Sequence, residues 1–336
     1  MPEWLAPMAD EPKLAVVIVG AGLMGRWHLD AARRAGARVV AIADPDRRRA
    51  EALGGSALAR ASLAAALDQR VDVVHVCTPL DSHRPLAEEA LAAGCHVIVE
   101  KPVTSTAAEA IALAASARRT GRLLVPVHQF AFQRGIRAIR ARLPELGTIR
   151  HVEFATASAG ADRAAADRDA IASEITPHAL SLARLVLGIE VAELDWHLDR
   201  PAPGEWRFSA ATGRGASITG MISLGARPTY ASFRVLGERA TATADLFHGF
   251  AGFEGAHASR RYKMIRPLVV GLGGAARAAT NLLGRAVSGE RAYPGLRALC
   301  AASYLAMRGQ GPPPFADDEV VDVARARERL MALAAG

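Results

Sequence analysis

The stretch Leu14 to Gly25, LAVVIVGAGLMG, decides the fold of this chain. Its first half is apolar and mostly β-branched, which is typical of a buried strand in a parallel sheet. Its second half has the spacing Gly20-x-Gly22-x-x-Gly25, and a helix is expected to begin near Gly22. Such a turn presents free backbone N–H groups and the positive end of a helix dipole to a pyrophosphate. The stretch therefore predicts a dinucleotide site.

The next predicted strand, Arg38–Ala43, ends in Asp44, which lies 19 residues beyond Gly25. A carboxylate at this position accepts hydrogen bonds from the adenosine ribose hydroxyls and repels a 2′-phosphate, so NAD is favoured over NADP. The three arginines at 47–49 could reach such a phosphate, or could form the solvated first turn of a helix. The cofactor residues assigned to this end are Gly20, Gly22, Leu23, Met24, Gly25 and Asp44.

Length and composition favour a two-domain globular protein. The chain has 336 residues, more than one domain usually holds, and no apolar run approaches the roughly 20 residues of a membrane-spanning helix. The first dozen residues lack the pattern of a signal peptide, so we expect a cytoplasmic protein. The three cysteines lie in or beside apolar segments without metal-ligand spacing, so we expect reduced core residues and no metal: Cys77, Cys95 and Cys300.

Residues 13–128 are predicted to form a Rossmann domain, because five strands alternate with helices there as in a doubly wound parallel sheet. An alanine-rich helical stretch is expected between the Asp44 strand and Leu67. Residues 1–12 are expected to be a flexible tail. The predicted strands are Leu14–Val19, Arg38–Ala43, Val71–Cys77, His96–Val99 and Arg122–Val127.

Residues 129–336 are predicted to form a domain for substrate binding and oligomerisation on a largely antiparallel sheet, since strands there follow one another across short turns. The predicted strands are Thr148–Ser158, Val191–Leu198, Glu205–Thr212, Ala216–Leu224, Thr229–Leu236 and Ala240–Phe247. Helices are expected near Glu174–Leu187, over Ser259–Met307 and over Ala316–Ala334. The last of these, residues 316–334, is expected to pack back on the N-terminal domain.

Positive charge is concentrated in one segment, residues 260–308. The whole chain carries a net charge of +7, and this segment alone has nine lysines and arginines against one acid, Glu290. Three interpretations stay open: recognition of a phosphate-bearing substrate, peripheral contact with an anionic membrane surface, or a solvated arginine-rich face. Nucleic acid is not expected as a partner, because interleaved aromatic residues and a reading-helix motif are missing.

Four motifs together resemble the Gfo/Idh/MocA oxidoreductases: the glycine fingerprint, Cys77-Thr78-Pro79 with His83, Glu100-Lys101-Pro102, and the acid-xxx-His of Glu174 and His178. The resemblance covers nearly the whole chain. It implies an NAD-dependent enzyme that transfers hydride between nicotinamide and a secondary alcohol or ketone. The implied substrate is a small molecule, namely a sugar, a cyclitol or a sugar derivative. A homodimer or homotetramer formed through the outer face of the second sheet is also implied.

The resemblance assigns Lys101 to the nicotinamide end of the cofactor, where its charge would stabilise a developing alkoxide. The same edge of the sheet would hold other cofactor-binding residues, namely Thr78, Pro79, His83 and Glu100. His83 could instead cap a helix or lie at the surface. His128, at the end of the fifth strand, could contact the cofactor or substrate, or cap the strand.

The resemblance makes His178 the candidate base, since an imidazole titrating near neutrality can accept the hydroxyl proton. Glu174, four residues earlier, would orient it from the same helical face. If the helix begins at Pro177, however, Glu174 falls outside it. Either arrangement places His178 in or near the first turn, where the helix dipole favours the neutral ring.

Two departures from the family pattern concern the substrate pocket more than the cofactor site. Glu174 stands where family members commonly have Asp, and residues 169–172 (DAIA) replace a glycine cluster. Two alternative functions therefore stay open. One is reduction of a non-sugar substrate, such as a cyclic imine, diol or tetrapyrrole, on the same fold. The other is NAD binding by a sensor or structural protein without redox chemistry.

Overall fold

The computed structural model describes residues 12–256, 260–290 and 292–335, without the side chains of residues 260, 261 and 263. Most of the expected tail at 1–12 therefore lies outside the described residues. Contacts divide the chain into two compact units. The first runs to Val127 and includes Leu296–Val321, and the second runs from His128 to Gly295 and resumes at Asp322. Residues 296–321, which the sequence places in the second domain, thus group with the first unit.

A parallel sheet of six strands forms the centre of the first unit. The strands are β1 (Ala15–Val19), β2 (Arg38–Ala43), β3 (Ala59–Arg60), β4 (Val73–Val76), β5 (His96–Val99) and β6 (Leu124–Pro126). Their order is β3-β2-β1-β4-β5-β6, as in a dinucleotide-binding Rossmann fold. All residues of β1, β4 and β5 are buried, as their continuous apolar sequences predict.

Helices and strands alternate around this sheet. The helices of the first unit are α1 (Leu23–Arg34), α2 (Arg47–Gly54), α3 (Leu63–Ala66), α4 (His83–Ala92), α5 (Ala107–Thr120) and α10 (Leu296–Met307). The helical stretch expected up to Leu67 is wrong in its middle. Gly55, whose φ of 84° suits glycine, ends α2, and the short strand β3 then pairs with β2 before Ser62 caps α3.

The second unit is built on a seven-stranded, mostly antiparallel sheet. Its strands are β7 (Ile149–Ala157), β8 (Trp196–Ala202), β9 (Glu205–Ala211), β10 (Ser217–Ser223), β11 (Tyr230–Gly237), β12 (Ala240–Asp245) and β13 (Phe250–Gly255). They lie in the order β13-β12-β11-β7-β10-β9-β8, and only β7 and β10 pair in parallel. The predicted fold class, a parallel Rossmann sheet followed by a largely antiparallel one, is confirmed.

Two strand predictions in this sheet were wrong. The strand predicted from Val191 begins at Trp196, because the Asp322 carboxylate accepts hydrogen bonds from the backbone N–H groups of Val191 and Ala192. Strand β13 was missed. Its sequence, FAGFEG, contains two glycines and no alternation of apolar and polar residues, so it lacks the usual signal of a strand.

The helices of the second unit are α6 (Arg134–Ala141), α7 (Leu143–Leu146), α8 (Ala165–Leu187) and α9 (Arg260–Ser288), and α11 (Asp317–Ala335) runs into it from residue 317. Helix α8 begins nine residues before Glu174, so the expected start there was wrong. Asp169 secures its first turns, since its carboxylate accepts hydrogen bonds from Gly204 N–H and Trp206 Nε1–H. The single helical segment expected over 259–307 is interrupted after α9, where Gly289 has a φ of 66°.

Each unit has its own apolar core. In the second unit, α8 and α11 pack on one face of the sheet around residues such as Leu180, Trp206, Phe233 and Leu330. The three cysteines are free and buried, as expected. Among the described residues, no helix combines the length and the hydropathy that a membrane crossing requires.

Candidate active site

The glycines of the turn between β1 and α1 have two different roles: some are required by the fold, and one faces the space for a ligand. Gly20 has a φ of 96°, and a Cβ atom on Gly25 would lie 1.8 Å from the Gly20 carbonyl oxygen. Neither position can hold a side chain without moving the backbone. A Cβ atom on Gly22, by contrast, would meet no protein atom within 4 Å. The fold does not require glycine there, but a pyrophosphate approaching the N-terminus of α1 would.

Asp44 joins the end of β2 to this turn. Its Oδ2 accepts a hydrogen bond from Ala21 N–H at 2.8 Å, and its Oδ1 accepts one from Asp46 N–H at 2.9 Å. An ionised carboxylate has about four acceptor positions, so acceptor capacity remains for ribose hydroxyls. The described geometry thus fits the adenosine end of a dinucleotide.

The three arginines that follow Asp44 form the exposed first turn of α2. Arg47 pairs with Glu51, and Arg49 pairs with Asp46, which also caps the helix. This geometry supports the interpretation as a solvated helical turn. Beside the glycine turn, the side chain of Leu23 is 64% exposed and that of Met24 is half-buried, so both can contact a ligand at the N-terminus of α1.

The remaining candidates of the first unit follow the ends of neighbouring strands. Thr78 and Pro79 come after β4, and Glu100 and Lys101 come after β5. Hydrogen bonds from Cys77 N–H to Val19 O and from Glu100 N–H to Val76 O continue the pairing to the strand ends. The carboxyl edge of the sheet therefore brings together the glycine turn, Asp44, Thr78 and Lys101, with the half-buried Lys101 side chain two strands away from the turn.

His83 connects two loops at this edge. It is 2% exposed, with Nδ1 2.8 Å from the Pro102 carbonyl oxygen and Nε2 2.8 Å from the Thr78 carbonyl oxygen. A neutral imidazole has one N–H and satisfies one of these acceptors, whereas an imidazolium satisfies both. The His83 side chain thus positions the loop of Thr78 and the loop of Lys101–Pro102. This role differs from both alternatives, a surface residue and a helix cap.

Glu100 is the buried end of a hydrogen-bonded chain that the sequence did not reveal. His28 Nε2 lies 3.1 Å from Glu100 Oε1, His28 Nδ1 lies 2.9 Å from His75 Nδ1, and His75 Nε2 lies 2.9 Å from the Tyr304 hydroxyl. With an ionised Glu100, one assignment satisfies every contact: Tyr304 donates to His75, His75 to His28, and His28 to Glu100. The Lys101 N–H donates to the second Glu100 oxygen at 3.2 Å. The chain therefore fixes the backbone that carries Lys101.

Titration behaviour agrees with this assignment. Burial raises the pKa of Glu100, but the hydrogen bond from His28, the positive charge of Lys101 and the hydrogen bond from the Lys101 backbone outweigh it, and the net pKa is lowered. Burial lowers the pKa of His75 well below its usual value, so its ring is neutral, as the assignment requires. Burial raises the pKa of Tyr304, which therefore stays protonated and able to donate.

In the second unit, Glu174 and His178 lie one turn apart on the same face of α8. The helix passes through Pro177, so Glu174 lies inside it and the alternative start at Pro177 is wrong. His178 is 7% exposed, and its ring packs against Phe130 with 4.3 Å between ring centroids. Because it lies thirteen residues after Ala165, the N-terminal dipole of α8 does not act on it, and the expected first-turn effect is wrong.

Arg327 on α11 is a site residue that the sequence did not indicate. It is 5% exposed, and its guanidinium donates to the Ser173 carbonyl oxygen at 3.2 Å and to Ser173 Oγ at 3.3 Å. Burial lowers its pKa by more than the neighbouring carboxylates of Glu174 and Glu328 raise it, so the net pKa is lowered. Glu174 thus lies close to a buried cation. The signal that could have indicated Arg327 in the sequence is its place next to Ala326, on the buried side of an amphipathic helix.

His128 begins the second unit and is 2% exposed. It precedes the short 3₁₀ helix Gln129–Phe132, which carries Phe130 to the His178 ring. Two described arginines of the basic segment contact other groups of their own unit. Arg266 pairs with Glu254, and Arg285 donates to carbonyl oxygens of its own unit. The side chains of Arg260, Arg261, Lys263 and Arg291 lie outside the described part of the chain.

Comparison with known proteins agrees with this geometry. Residues 14–128 match the Gfo/Idh/MocA family model, described as an oxidoreductase family with an NAD-binding Rossmann fold. The chain is 32% identical to D-apiose dehydrogenase from Paraburkholderia graminis over 183 residues, which cover 51% of this chain and 49% of that protein. It is 41% identical to inositol 2-dehydrogenase from Leifsonia xyli over 109 residues, 31% of this chain and 32% of that protein.

The fold as a whole resembles that of a solved UDP-N-acetylglucosamine 3-dehydrogenase from Acidithiobacillus ferrooxidans, with a TM-score of 0.74 and 20% identity. This likeness covers 96% of the present chain and 98% of the other. Residues 14–128 therefore resemble the Gfo/Idh/MocA oxidoreductases, and the first unit is an NAD-binding Rossmann domain. The predicted resemblance, fold class and cofactor are confirmed. The sequence matches span about half, or less, of the length of these curated relatives.

Proposed function

We propose that this protein is an NAD-dependent oxidoreductase that transfers hydride between nicotinamide and a secondary alcohol or ketone of a sugar, cyclitol or sugar derivative. The observation that carries the proposal is the shared carboxyl edge of β2, β1, β4 and β5, where Asp44, the glycine turn, Thr78 and Lys101 lie in order. The names of the relatives, D-apiose dehydrogenase and inositol 2-dehydrogenase, support this class of substrate.

Lys101 would stabilise charge at the reacting oxygen. NAD held at the glycine turn and Asp44 would supply the hydride acceptor, so that the carbinol carbon of the substrate would be oxidised to a carbonyl carbon. Negative charge develops on the oxygen as its proton departs, and an ammonium group at hydrogen-bond distance stabilises it. Glu100 cannot take this role, because an ionised carboxylate repels the developing negative charge.

His178 would accept the hydroxyl proton through a ring nitrogen during oxidation and return it during reduction. Its ring is held against Phe130, which restricts its rotation. Glu174 lies one turn away and close to Arg327, so a positioned carboxylate stands beside the base. We propose that Glu174 orients His178 and that Arg327 holds Glu174 in place.

A lysine substitution tests the proposal. The variant Lys101→Met should lower kcat by at least a hundredfold while NAD affinity stays within a few-fold, because the glycine turn and Asp44 remain intact. NADH formation is followed spectroscopically over a panel of aldoses, cyclitols and nucleotide sugars, and NAD affinity by calorimetry. Lys13→Met is the matched control, since Lys13 is exposed and precedes β1.

The outcomes separate the alternative functions. Turnover of a sugar or cyclitol that survives in Lys101→Met would remove Lys101 from the mechanism. NAD binding without turnover of any alcohol, ketone, cyclic imine, diol or tetrapyrrole would favour a sensor or structural protein. Turnover of a cyclic imine or a tetrapyrrole alone would keep the reaction class and replace the substrate class.

A further inference from the structure

Helix α9 exposes its apolar face. It is 29 residues long, and in a surface helix the apolar residues usually face the core. Here the large apolar side chains on one face are between 46% and 91% exposed: Met264, Ile265, Leu268, Val269, Leu272, Leu282, Leu283 and Val287. Contiguous apolar surface of this extent marks an interaction site on a protein that is otherwise polar outside.

The opposite face of α9 is polar and contacts its own unit. Arg266 donates two hydrogen bonds to Glu254 at 2.6 and 2.9 Å, and Asn281 Nδ2 donates to the His248 carbonyl oxygen at 2.9 Å. Arg277 packs over Gly252 of β13. The helix is therefore fixed to its unit through polar contacts, and its apolar face is left for a partner.

The exposed face is self-complementary in sequence. Its residues follow the three-four spacing of a coiled-coil seam over three heptads: Ile265, Leu268, Leu272, Ala275, Ala279, Leu282 and Ala286 are all exposed. The stripe is also symmetric about the point between residues 275 and 276. Positions at equal distance from that point are apolar on both sides, in the pairs 264 and 287, 265 and 286, 268 and 283, 269 and 282, and 272 and 279.

We propose that α9 pairs antiparallel with α9 of a second copy of this chain, about a two-fold axis between Ala275 and Ala276. In a two-fold interface residue i contacts residue j and residue j contacts residue i, which is the relation that these pairs satisfy. Leu268 of each copy meets Leu283 of the other. The alanines at the crossing allow the two helix axes to approach closely.

The available area suits a specific dimer. At roughly 100 Å² for each fully exposed aliphatic side chain, the eight large residues present roughly 500 Å² per copy. A pair would bury roughly 1,000 Å², which reaches the lower bound of specific interfaces. This surface differs from the outer face of the seven-stranded sheet, which the sequence analysis named as the interface.

Charge favours a second copy over a lipid surface. Cationic side chains flank the apolar face of a helix that binds anionic lipid. The described arginines of α9 instead contact their own unit: Arg266, Arg277 and Arg285 lie on the polar face. The described residues of the exposed stripe carry no charge, so this part of the stripe brings no repulsion between two copies.

The oligomeric state tests the interface. The unmodified chain should be a dimer or a tetramer by light scattering, and the double variant Leu268→Glu/Leu283→Glu should have half that mass. Leu333→Glu, at a similarly exposed leucine of α11, should keep the full mass. Circular dichroism checks that each variant is folded. A monomeric unmodified chain, or full mass in the double variant, overturns the proposal. The proposal is also overturned if the unmodified chain is a monomer that sediments with phosphatidylglycerol vesicles and the double variant does not sediment with them.

Cross-linking tests the antiparallel register independently of folding. The three native cysteines are buried, so an introduced thiol is the reactive one. Ala276→Cys lies beside the axis and should form a disulfide-linked dimer under mild oxidation. In Val287→Cys the two thiols lie roughly 35 Å apart in antiparallel helices, so the variant should stay uncrosslinked. Equal cross-linking at both positions would indicate parallel helices and overturn the proposed symmetry.

Discussion

The two units place their site residues by different means. In the first, the glycine turn, Asp44 and Lys101 follow the ends of paired strands, so backbone hydrogen bonds fix their positions. In the second, Glu174, His178 and Arg327 project from α8 and α11, so side-chain packing fixes theirs. The proposed cofactor site therefore depends on the shape of the backbone, and the proposed base depends on the packing of side chains.

The largest effect on stability is expected in the glycine turn, where the backbone itself is the recognition element. Gly25→Ala would place a Cβ atom 1.8 Å from the Gly20 carbonyl oxygen, so the turn must open. We expect a loss of stability on the order of 3 kcal/mol and loss of NAD binding. Thermal unfolding with and without NAD measures both.

Gly22→Ala separates ligand binding from folding. Its Cβ atom meets no protein atom within 4 Å, so stability should stay within about 0.5 kcal/mol of the unmodified chain. NAD affinity should fall at least tenfold, because the added methyl group occupies the space of the pyrophosphate. Undiminished affinity would show that the cofactor does not approach Gly22.

Substituting His178 probes the side-chain half of the comparison. His178→Gln should lower kcat by roughly 10²–10⁴ and leave NAD affinity unchanged, because a glutamine cannot accept the proton. It should also remove one ionisation from the pH profile of kcat/KM. His197→Gln, at an exposed position of β8, is the control. A kcat that falls only a few-fold would assign His178 to packing.

The same difference explains what could be predicted from the sequence. The strands of the first unit and the residues that follow them were predictable, since a continuous apolar run and a fixed glycine spacing are local signals. The second unit offered weaker signals. The start of β8 depends on Asp322, about 130 residues away, and the surroundings of Glu174 depend on Arg327. Contacts at such separation leave no local pattern.

The polar chain from Tyr304 to Glu100 was hidden for a related reason. His28 lies on α1, His75 in β4 and Tyr304 on α10, and each looks like an isolated residue in its own segment. The sequence of α9 showed that the segment is both apolar and basic, but not that its apolar face is exposed. Which face it exposes depends on Glu254 and His248, which belong to other elements.

The pH dependence of stability tests the first unit's reliance on backbone contacts. Burial, followed by the charge of Arg122, lowers the pKa of His96 to about 4, and its Nδ1 accepts a hydrogen bond from Leu123 N–H. Between pH 6.5 and 4 the unfolded chain binds a proton that the folded chain does not, so stability falls as pH falls through this window.

The contribution of His96 to that fall should be roughly 3 kcal/mol, and it should level off below pH 4. In His96→Asn, the free energy of unfolding, measured by urea denaturation, should fall by this much less between pH 6.5 and 4. His197→Gln, at an exposed site, should leave the slope unchanged. Equal slopes in all three proteins would mean that His96 is protonated in the folded state.

A further effect on stability is expected in the polar chain from Tyr304 to Glu100, whose side chains support the backbone of the first unit. Tyr304→Phe removes the donor to His75 Nε2 and leaves a buried acceptor unsatisfied, which should cost about 1–3 kcal/mol. Tyr230→Phe, at a tyrosine that is 37% exposed, should cost less than about 0.5 kcal/mol. If Tyr304→Phe also raises KM for NAD or lowers kcat, the chain positions Lys101 through Glu100. If only stability falls, α10 supports the fold of the first unit without acting on its carboxyl edge.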